Sequence, residues 1–284
     1  MGRVSGKVAF ITGAARGQGR SHAVKLASEG AAVVLTDVCE QIPGIRYALG
    51  TEDDLDETVR LVKEVGGEVI AMKADVRSSE QLGRAVDAAL SRFGYIDTVV
   101  ANAGLSAYRL FPELTEQEWR TTMDVNLTGV FRTVKAALPS MIERGQGGSI
   151  ILISSGSTFR GGGLLTEYSS SKAGVNGLKR SLALALGPHW IRVNCIMPTT
   201  ILTGLVDNAP LAEALARGVN GGKPFESHEA WIEAKAKALR QLHILPHPWM
   251  EVTDISQAVL FLASDDAKYI TSEDLRVDLG FAGK

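Results

Sequence analysis

The chain has 284 residues, of which 45% are apolar and 22% charged, enough for a sizeable core in one large α/β domain or two small ones. A net charge of −2 and a pI near 6.2 exclude the basic surface of proteins that bind nucleic acid or acidic membranes. The two cysteines cannot build a disulfide framework, the N-terminus leaves no room for a signal peptide, and no apolar run approaches the roughly eighteen residues of a membrane span. We therefore expect a soluble cytoplasmic protein that binds neither nucleic acid nor a membrane.

The first predicted element is a buried strand over residues 7–12, which a glycine-rich turn connects to a helix over residues 20–29. Glycines at this point let the backbone approach a pyrophosphate, and the helix N-terminus supplies free N–H groups and the positive end of a dipole. The spacing is G-x-x-x-G-x-G, through Gly13, Gly17 and Gly19, and differs from the commoner G-x-G-x-x-G. Between a strand and a helix, this turn predicts a dinucleotide site.

A second buried strand over residues 32–36 ends at Asp37. An acidic side chain at this point suits the ribose hydroxyls of a dinucleotide and would repel a 2′-phosphate, which favours NAD over NADP. Arg16 in the glycine turn points the other way, since it could pair with that phosphate. We give Asp37 the greater weight because its position is the one that faces the ribose.

The connection over residues 38–57 is longer than the two to six residues that usually join a strand to a helix. Its acidic end, Glu52 to Asp54, is expected to decorate the N-terminus of the next helix, where negative charge is favoured. The apolar part has no such explanation. We treat residues 38–57 as an insertion and hypothesise that it folds over the cofactor.

Further strands and helices alternate along the next hundred residues. The patterns predict a helix over 58–65, a strand over 68–74, a helix from a Ser78 cap to about Gly94, and a strand over 98–101. Asp75 and Val76 follow one strand, where they could reach an adenine ring, and the small residues Asn102, Ala103 and Gly104 follow the other. Asn126 lies within a predicted helix, where asparagine is disfavoured, so we expect a hydrogen-bonding role for it.

The fifth strand, over residues 149–153, delivers Ser155, and a helix carrying Tyr168 and Lys172 follows. A spacing of four residues puts these two side chains on one face of the helix. A lysine ammonium near a phenol favours the phenolate and lowers its pKa. The pair therefore predicts a tyrosine that exchanges a proton with an alcohol or carbonyl near neutral pH.

A sixth strand over residues 192–197 leads to Pro198, and a last helix and strand are predicted over 254–264 and 275–278. Between them, apolar residues within 204–250 suggest a lid over a hydrophobic substrate, although the same pattern would serve subunit contacts. The alternation predicts one α/β domain over residues 1–284, a doubly wound Rossmann fold with a seven-stranded parallel sheet. In such sheets ligands bind at the carboxyl ends of the strands, where these predicted site residues fall.

His243 and His247 are four residues apart and could suggest a metal pair. Pro246 between them disrupts the helix that such a pair would need, and no carboxylate or cysteine stands at ligand spacing. We therefore predict no metal site and interpret both histidines as loop or lid residues.

Taken together, these motifs resemble those of a classical short-chain dehydrogenase/reductase over nearly the whole chain, from about residue 6 to residue 278. The residues that carry the resemblance are Gly13 to Gly19, Asn102 to Gly104, Asn126, Ser155, Tyr168 and Lys172. The chain departs from the family pattern at Ala101, Thr199 and Ser272. The insertion after Cys39 and the stretch from Pro198 resemble the carveol-dehydrogenase-like, mycofactocin-coupled branch.

The resemblance implies roles for the catalytic residues. Tyr168 would be the general base for alcohol oxidation and the acid for ketone reduction, while Lys172 would lower its pKa and bind the nicotinamide ribose. Ser155 would hydrogen-bond the substrate oxygen, and Asn126 would anchor a water that relays the proton to solvent. The residues implied to hold NAD are Gly13, Arg16, Gly17, Gln18, Gly19, Asp37, Val38, Asp75, Val76, Asn102, Ala103, Gly104, Tyr168, Lys172, Pro198, Thr199, Ile201 and Thr203.

We therefore expect an NAD-dependent oxidoreductase acting on CH–OH donors, which interconverts a hydrophobic secondary alcohol, terpenoid or alicyclic and carveol-like, with its ketone. The branch implies tightly held NAD that an external carrier, mycofactocin, re-oxidises, and the family implies a homotetramer. One alternative is a free-exchange NAD(P)H-dependent reductase of acyl or steroid ketones. A non-catalytic dinucleotide sensor is disfavoured, because a sensor needs no proton relay.

Overall fold

Seven parallel strands form one sheet in the order β3-β2-β1-β4-β5-β6-β7, in a computed structural model that describes residues 2–284 and all their side chains except those of residues 218 and 219. The strands are β1 Val8–Thr12, β2 Ala32–Asp37, β3 Val69–Lys73, β4 Thr98–Ala101, β5 Gly148–Ile153, β6 Ile191–Pro198 and β7 Asp274–Val277. The strand order reverses between β1 and β4, which creates a crevice at their carboxyl ends. The predicted fold class, a doubly wound seven-stranded Rossmann sheet in a single domain, is confirmed.

Helices cover both faces of the sheet. They are α1 Gly17–Ser28, α2 Glu52–Glu64, α3 Ser79–Phe93, α4 Glu116–Met123, α5 Gly129–Arg144, α6 Ser157–Arg160, α7 Thr166–Leu186, α8 Ala209–Val219, α9 His228–Leu242 and α10 Val252–Ala263. Within the described chain, no helix combines the length and the apolar character that crossing a membrane requires.

The core lies on the two faces of the sheet, because successive strand residues point to opposite sides. Phe10 and Val34 belong to the cluster that packs against α3, α5 and α7, while their neighbours Ile11 and Leu35 belong to the cluster under α1 and α10. All four side chains are completely buried. This two-sided burial explains why the strands are continuous apolar runs rather than alternating ones.

The insertion is shorter than the sequence predicted. Helix α2 begins at Glu52, six residues before the predicted start, because Thr51 and Asp54 cap it reciprocally: each side chain accepts a hydrogen bond from the other's backbone N–H. The connection between β2 and α2 therefore covers residues 38–51. The acidic residues Glu52 to Asp54, which were assigned to the end of the insertion, form the first turn of α2, where negative charge is favoured as expected.

Asn126 lies in a single π-helical turn, Asp124–Thr128, rather than within a regular helix. This turn separates α4 from α5, so the one helix predicted around Asn126 is in fact two. Turns of this kind are frequent at functional sites because they redirect side chains out of the regular helical register.

Candidate active site

A cavity of about 410 Å³ opens at the carboxyl edge of the sheet, where β1, β2, β4, β5 and β6 end. Every residue predicted to hold the dinucleotide lines this cavity, with the exception of Gly19. Three of the four predicted catalytic residues, Ser155, Tyr168 and Lys172, line it as well, whereas Asn126 does not. One cavity thus brings together almost all of the site residues that the sequence pointed to.

The glycine turn is held in place from the side of β4. Gly13 has a φ of +67°, and a Cβ there would lie 2.7 Å from the Cα of Ala103. The side-chain amide of Asn102 donates to the carbonyl oxygens of Thr12 and Gly13, both at 3.0 Å. The first glycine is therefore required both by its backbone conformation and by the close approach of the next strand's end.

Gly19 is the one predicted cofactor contact that is not among the residues lining the cavity. A Cβ at this position would lie 2.0 Å from the carbonyl oxygen of Gly13 and 2.8 Å from Nδ2 of Asn102. Gly19 is instead required for the close packing of α1 against its own preceding turn. By contrast, Gln18 faces the cavity, and its buried Oε1 has no hydrogen-bond partner among the described residues.

Asp37 lies at the end of β2 under the insertion. Its carboxylate accepts hydrogen bonds from the backbone N–H groups of Ala15, at 3.0 Å, and Cys39, at 3.3 Å. A Cβ at Gly50 would lie 3.4 Å from Oδ1 of Asp37, so the insertion passes directly over the carboxylate. Burial raises the pKa of Asp37, and the two backbone hydrogen bonds act against that rise.

Arg16 connects the glycine turn to the insertion and to the segment after β6. Its guanidinium donates to the carbonyl oxygen of Ala48 and lies against Gly204, where a Cβ would be 3.3 Å from Nη1. The side chain that could have paired with a 2′-phosphate is thus already engaged by the protein itself.

Ser155 follows β5, and Tyr168 and Lys172 lie on one face of α7. The Lys172 ammonium donates to the carbonyl oxygen of Ile153 at 2.7 Å and lies 5.6 Å from the centre of the Tyr168 ring. Burial lowers the pKa of Lys172 to about 8. Burial also raises the pKa of Tyr168, and the hydrogen bond with Ser155 counteracts only part of that rise.

The direction of the Tyr168 shift is the opposite of the one predicted from the Tyr–Lys spacing. A spacing of four residues gives proximity, but it does not reveal that both groups are removed from water. Desolvation penalises the phenolate and the ammonium alike, and it is the largest cause of the pKa shift of both groups.

Asn126 is completely buried and makes three hydrogen bonds. Its Nδ2 donates to the carbonyl oxygen of Leu105 at 2.8 Å and to Oγ of Ser171 at 3.1 Å, and its Oδ1 accepts from the N–H of Leu105 at 2.9 Å. A Cβ at Gly104 would lie 3.3 Å from Nζ of Lys172 and 3.6 Å from Oδ1 of Asn126. The two side chains therefore approach each other across Gly104, and only Oδ1 keeps a lone pair for a further partner.

With this geometry established, comparison with known proteins identifies the family. A family model described as short chain dehydrogenase matches residues 7–214. The chain belongs to the short-chain dehydrogenase family. This finding confirms the resemblance drawn from the sequence and the expectation of an enzyme of the dehydrogenase type.

Two relatives and one solved structure illustrate the similarity. The chain is 44% identical to (−)-trans-carveol dehydrogenase of Rhodococcus erythropolis over 281 residues, 99% of each chain. It is 36% identical to trans-4-hydroxycyclohexanecarboxylate dehydrogenase of Sinomonas cyclohexanicum, over 98% of this chain and 93% of that one. The crystal structure of carveol dehydrogenase from Mycobacterium avium in complex with NAD superposes with a TM-score of 0.93 at 42% identity, over 100% of both chains.

Further residues line the cavity of this short-chain dehydrogenase, and apart from Leu205 and Leu242, which belong to the predicted hydrophobic cover, they carried no individual signal in the sequence. They come from the insertion, the segment after β4, the turn before α7, the region after β6 and the C-terminal tail: Ile42, Tyr47, Leu49, Gly50, Leu105, Tyr108, Leu165, Leu205, Val206, Leu239, Leu242 and Phe281. The apolar pattern of the 204–250 region did indicate a hydrophobic cover. Tyr108 and Phe281 could not have been found in this way, since only the tertiary fold brings them to the cavity.

The two histidines of the 204–250 region are explained by hydrogen bonds. Nδ1 of His243 lies 2.6 Å from the carbonyl oxygen of His247, so this nitrogen carries the proton, and Nε2 lies 3.1 Å from Oγ1 of Thr199. Nδ1 of His247 contacts the carbonyl oxygen of Trp249. Within the described residues, no group of three or more His, Cys, Asp or Glu side chains is arranged to hold a metal ion.

Proposed function

We propose that this short-chain dehydrogenase uses NAD to interconvert a hydrophobic secondary alcohol with its ketone. The observation that carries the proposal is that one cavity is lined by Asp37, by Ser155, Tyr168 and Lys172, and by a set of apolar side chains. The dinucleotide groups and the proton-transfer groups thus share a single continuous space. Relatives named as dehydrogenases of carveol and of a hydroxycyclohexane acid support a cyclic alcohol as substrate.

The residues present fit a bound NAD. The turn at Gly13 has no room for a side chain, and the buried Oε1 of Gln18 has no hydrogen-bond partner in the described part of the chain. Helix α1 begins without a side-chain cap, so its first N–H groups are available to a phosphate. The Asp37 carboxylate would accept from the ribose hydroxyls. NAD, when bound, supplies the acceptor or donor of the hydride.

The protein's own contribution is to move a proton at the substrate oxygen. Tyr168 would take the proton from the alcohol, or give it to the ketone, while the Ser155 hydroxyl donates to the same oxygen. Since burial raises the pKa of Tyr168, its phenolate needs a nearby positive charge, which the Lys172 ammonium provides. Lys172 in turn would exchange a proton with a water that Oδ1 of Asn126 holds beside Gly104, and this water would relay the proton to solvent.

A carveol-like alicyclic alcohol is the substrate class that we propose. The wall beyond Tyr168 is built by aliphatic and aromatic side chains: Leu105, Tyr108, Leu165, Leu205, Val206, Leu239, Leu242 and Phe281. Burying such a surface against a hydrocarbon ring is favourable, at about 25 cal/mol per Å² of apolar area. A strongly polar or charged substrate would find no charged partner on this wall.

We further propose that NAD is held tightly and is re-oxidised by an external carrier such as mycofactocin. The support is the packing of the insertion: Ile42, Ile45 and Tyr47 are buried in the main core, and Gly50 lies over Asp37. The ion pair between Arg46 and Glu213, at 3.2 Å, links the insertion to α8. For NAD to leave, these contacts would have to break together.

The decisive experiment is mass spectrometry of the protein purified by gel filtration and then denatured. We expect about one NAD per chain, and a single burst of NADH fluorescence when a cyclic secondary alcohol is added without any acceptor. Continued turnover should then require an artificial redox dye. Steady turnover with soluble NAD alone would contradict the tight-binding proposal and would favour a free-exchange enzyme. Failure of every alcohol in a broad panel would contradict the dehydrogenase function itself.

Finally, we propose that the chain forms a cytoplasmic homotetramer. Phe131 on α5 and Leu184 on α7 are 47% and 83% exposed, and exposed apolar side chains of this size on helices that cover the same face of the sheet support burial against another subunit. Native mass spectrometry tests the proposal directly. The Leu184→Glu variant should dissociate if this face is an interface.

A further inference from the structure

The segment after β4, residues 105–108, connects three elements that border the cavity. Its first residue, Leu105, and its last, Tyr108, both line the cavity. Between them, Ser106 and Ala107 bind to Glu167, which directly precedes Tyr168 on α7. The position of this wall is therefore linked to the helix that carries the proton-transfer tyrosine.

Glu167 has no accessible surface, and within the described chain its carboxylate forms hydrogen bonds only with this segment. Its Oε1 accepts hydrogen bonds from Oγ of Ser106 and from the N–H of Ala107, both at 2.9 Å. Its Oε2 has no hydrogen-bond partner, and no ion pair to it forms anywhere in the described chain. Burying a carboxyl group with a single satisfied oxygen is costly, so a stabilising role does not explain this residue.

Tyr108 adopts a backbone conformation that side-chain-bearing residues rarely use. Its φ is +52°, which is uncommon for a residue other than glycine and is maintained only by surrounding contacts. Its hydroxyl donates to the carbonyl oxygen of Leu205, after β6, and its ring lies 6.1 Å from that of Tyr47. The Tyr47 hydroxyl accepts from the N–H of Ser106 at 3.1 Å, so the insertion holds the same segment from the other side.

We propose that Glu167 is a positioning residue that holds Tyr108 as the side wall of the substrate pocket, and that this wall limits the size of the alcohol. The inference rests on the proposed function, since it concerns the substrate of the same site. Glu167 fixes Ser106 and Ala107, these fix the backbone of Tyr108, and the phenol then fastens the Leu205 segment across the pocket. Glu167 touches neither the cavity nor the reacting atoms.

The test compares Glu167→Ala with Glu167→Gln. The alanine variant leaves the N–H of Ala107 and the hydroxyl of Ser106 without their acceptor, whereas glutamine keeps an oxygen at the Oε1 position. For cyclohexanol, with NAD and a redox dye, we expect the alanine variant to raise KM about tenfold while kcat stays within about threefold. The glutamine variant should remain within about twofold of the original enzyme.

Substrate size provides the second readout. With the bicyclic alcohol borneol, kcat/KM of the alanine variant should fall much less than it does with cyclohexanol, or should rise, because the loosened wall can move outward. Hydrogen exchange supplies a third readout that does not depend on activity. The amide of Ala107 should exchange slowly in the original enzyme and in the glutamine variant, and rapidly in the alanine variant.

Asp97→Ala is the matched control. Asp97 is also buried, and its carboxylate accepts from the N–H of Val8 at 3.1 Å and the hydroxyl of Thr98 at 2.8 Å, but it lies at the opposite edge of the sheet. We expect this variant to lose stability without any change in the KM ratio of the two alcohols. A changed ratio in Asp97→Ala would mean that general destabilisation moves the wall.

The inference is overturned if Glu167→Ala keeps its KM values and their ratio, or if the Ala107 amide remains protected. It is also overturned if Glu167→Gln fails as badly as the alanine variant. If the original enzyme does not turn over cyclohexanol, the proposed function fails, and the inference that rests on it fails as well. If the original enzyme does turn over cyclohexanol, the outcomes above concern the role of Glu167 alone.

Discussion

The Lys172 ammonium lies 2.7 Å from the carbonyl oxygen of Ile153 and 5.6 Å from the centre of the Tyr168 ring. The lysine is thus anchored to the end of β5, the strand that also delivers Ser155. Its charge is held beneath the phenol by the backbone and does not depend on a flexible side-chain partner. This arrangement fixes the distance between the ammonium and the phenol ring.

Replacing Tyr168 by phenylalanine should lower kcat by about 100-fold or more, because it removes the proton-transfer group and leaves the cavity wall in place. KM for the alcohol should change little. Single-turnover NADH fluorescence measures the step directly. Tyr269→Phe, which alters a tyrosine that is 79% exposed, is the matched control and should leave the rate unchanged. Hydride transfer at nearly the original rate in Tyr168→Phe would refute the assigned role.

Replacing Lys172 by methionine should abolish most activity and yet stabilise the protein by about 1–3 kcal/mol at pH 7. Burial lowers the pKa of Lys172 from 10.5 to about 8, so the unfolded chain binds a proton more tightly than the folded one. The free-energy cost of burying the charged ammonium is therefore fully present below pH 8 and declines as the pH rises from 8 towards 10.5. Denaturant unfolding at pH 7, 8 and 9 should show the advantage of the variant shrinking. An advantage that is constant with pH would contradict the assignment.

His22 should make the protein acid-sensitive. Its ring is completely buried, with Nδ1 2.8 Å from Oγ of Ser256, and burial lowers its pKa from 6.5 to about 3. The unfolded chain takes up a proton below pH 6.5 that the folded chain refuses, so stability is lost as the pH falls through that value. His22→Leu should remove about 2–3 kcal/mol of the stability difference between pH 7 and pH 4.5.

Thermal unfolding at a series of pH values measures this effect. The matched control is His189→Leu. Because His189 is exposed on the surface, this substitution should not change how steeply Tm falls with decreasing pH. If Tm of His22→Leu falls with decreasing pH as steeply as Tm of the original protein, groups other than His22 cause the acid sensitivity.

Replacing Asp37 by serine should weaken NAD binding by about 10- to 100-fold, since hydrogen bonds from the ribose hydroxyls to a charged carboxylate are lost. We do not expect the variant to prefer NADP, because Arg16 is held by the carbonyl oxygen of Ala48 and cannot turn towards a 2′-phosphate without releasing the insertion. Calorimetric titration with both dinucleotides, after removal of any co-purified nucleotide, gives the two affinities. Tight NADP binding by Asp37→Ser would show that Arg16 is free to move.

Much of the site could be predicted because its residues stand at the ends of strands. Continuous apolar runs identify buried parallel strands, and parallel strands bring their carboxyl ends to one edge, so the sequence alone groups Gly13, Asp37, Asn102 and Ser155. The start of α2 was wrong because a weakly apolar, acidic first turn resembles a loop until the cap at Thr51 is recognised.

Other features depend on contacts that sequence spacing does not encode. Tyr108 reaches the cavity through a left-handed backbone conformation, and Phe281 reaches it from the C-terminal tail. Gly19 has the spacing of a cofactor contact but serves the packing of α1. The pKa of Tyr168 moved in the unexpected direction because it depends on the water that the folded protein excludes.

The insertion has a consequence for engineering this enzyme. The insertion, residues 38–51, passes over Asp37 and also brings Tyr47 to the cavity, where its hydroxyl accepts from the N–H of Ser106. A change made there to admit a new alcohol will therefore also alter how quickly the nucleotide escapes. Libraries directed at residues 38–51 should show the two properties varying together, whereas changes near Phe281 can alter substrate choice alone.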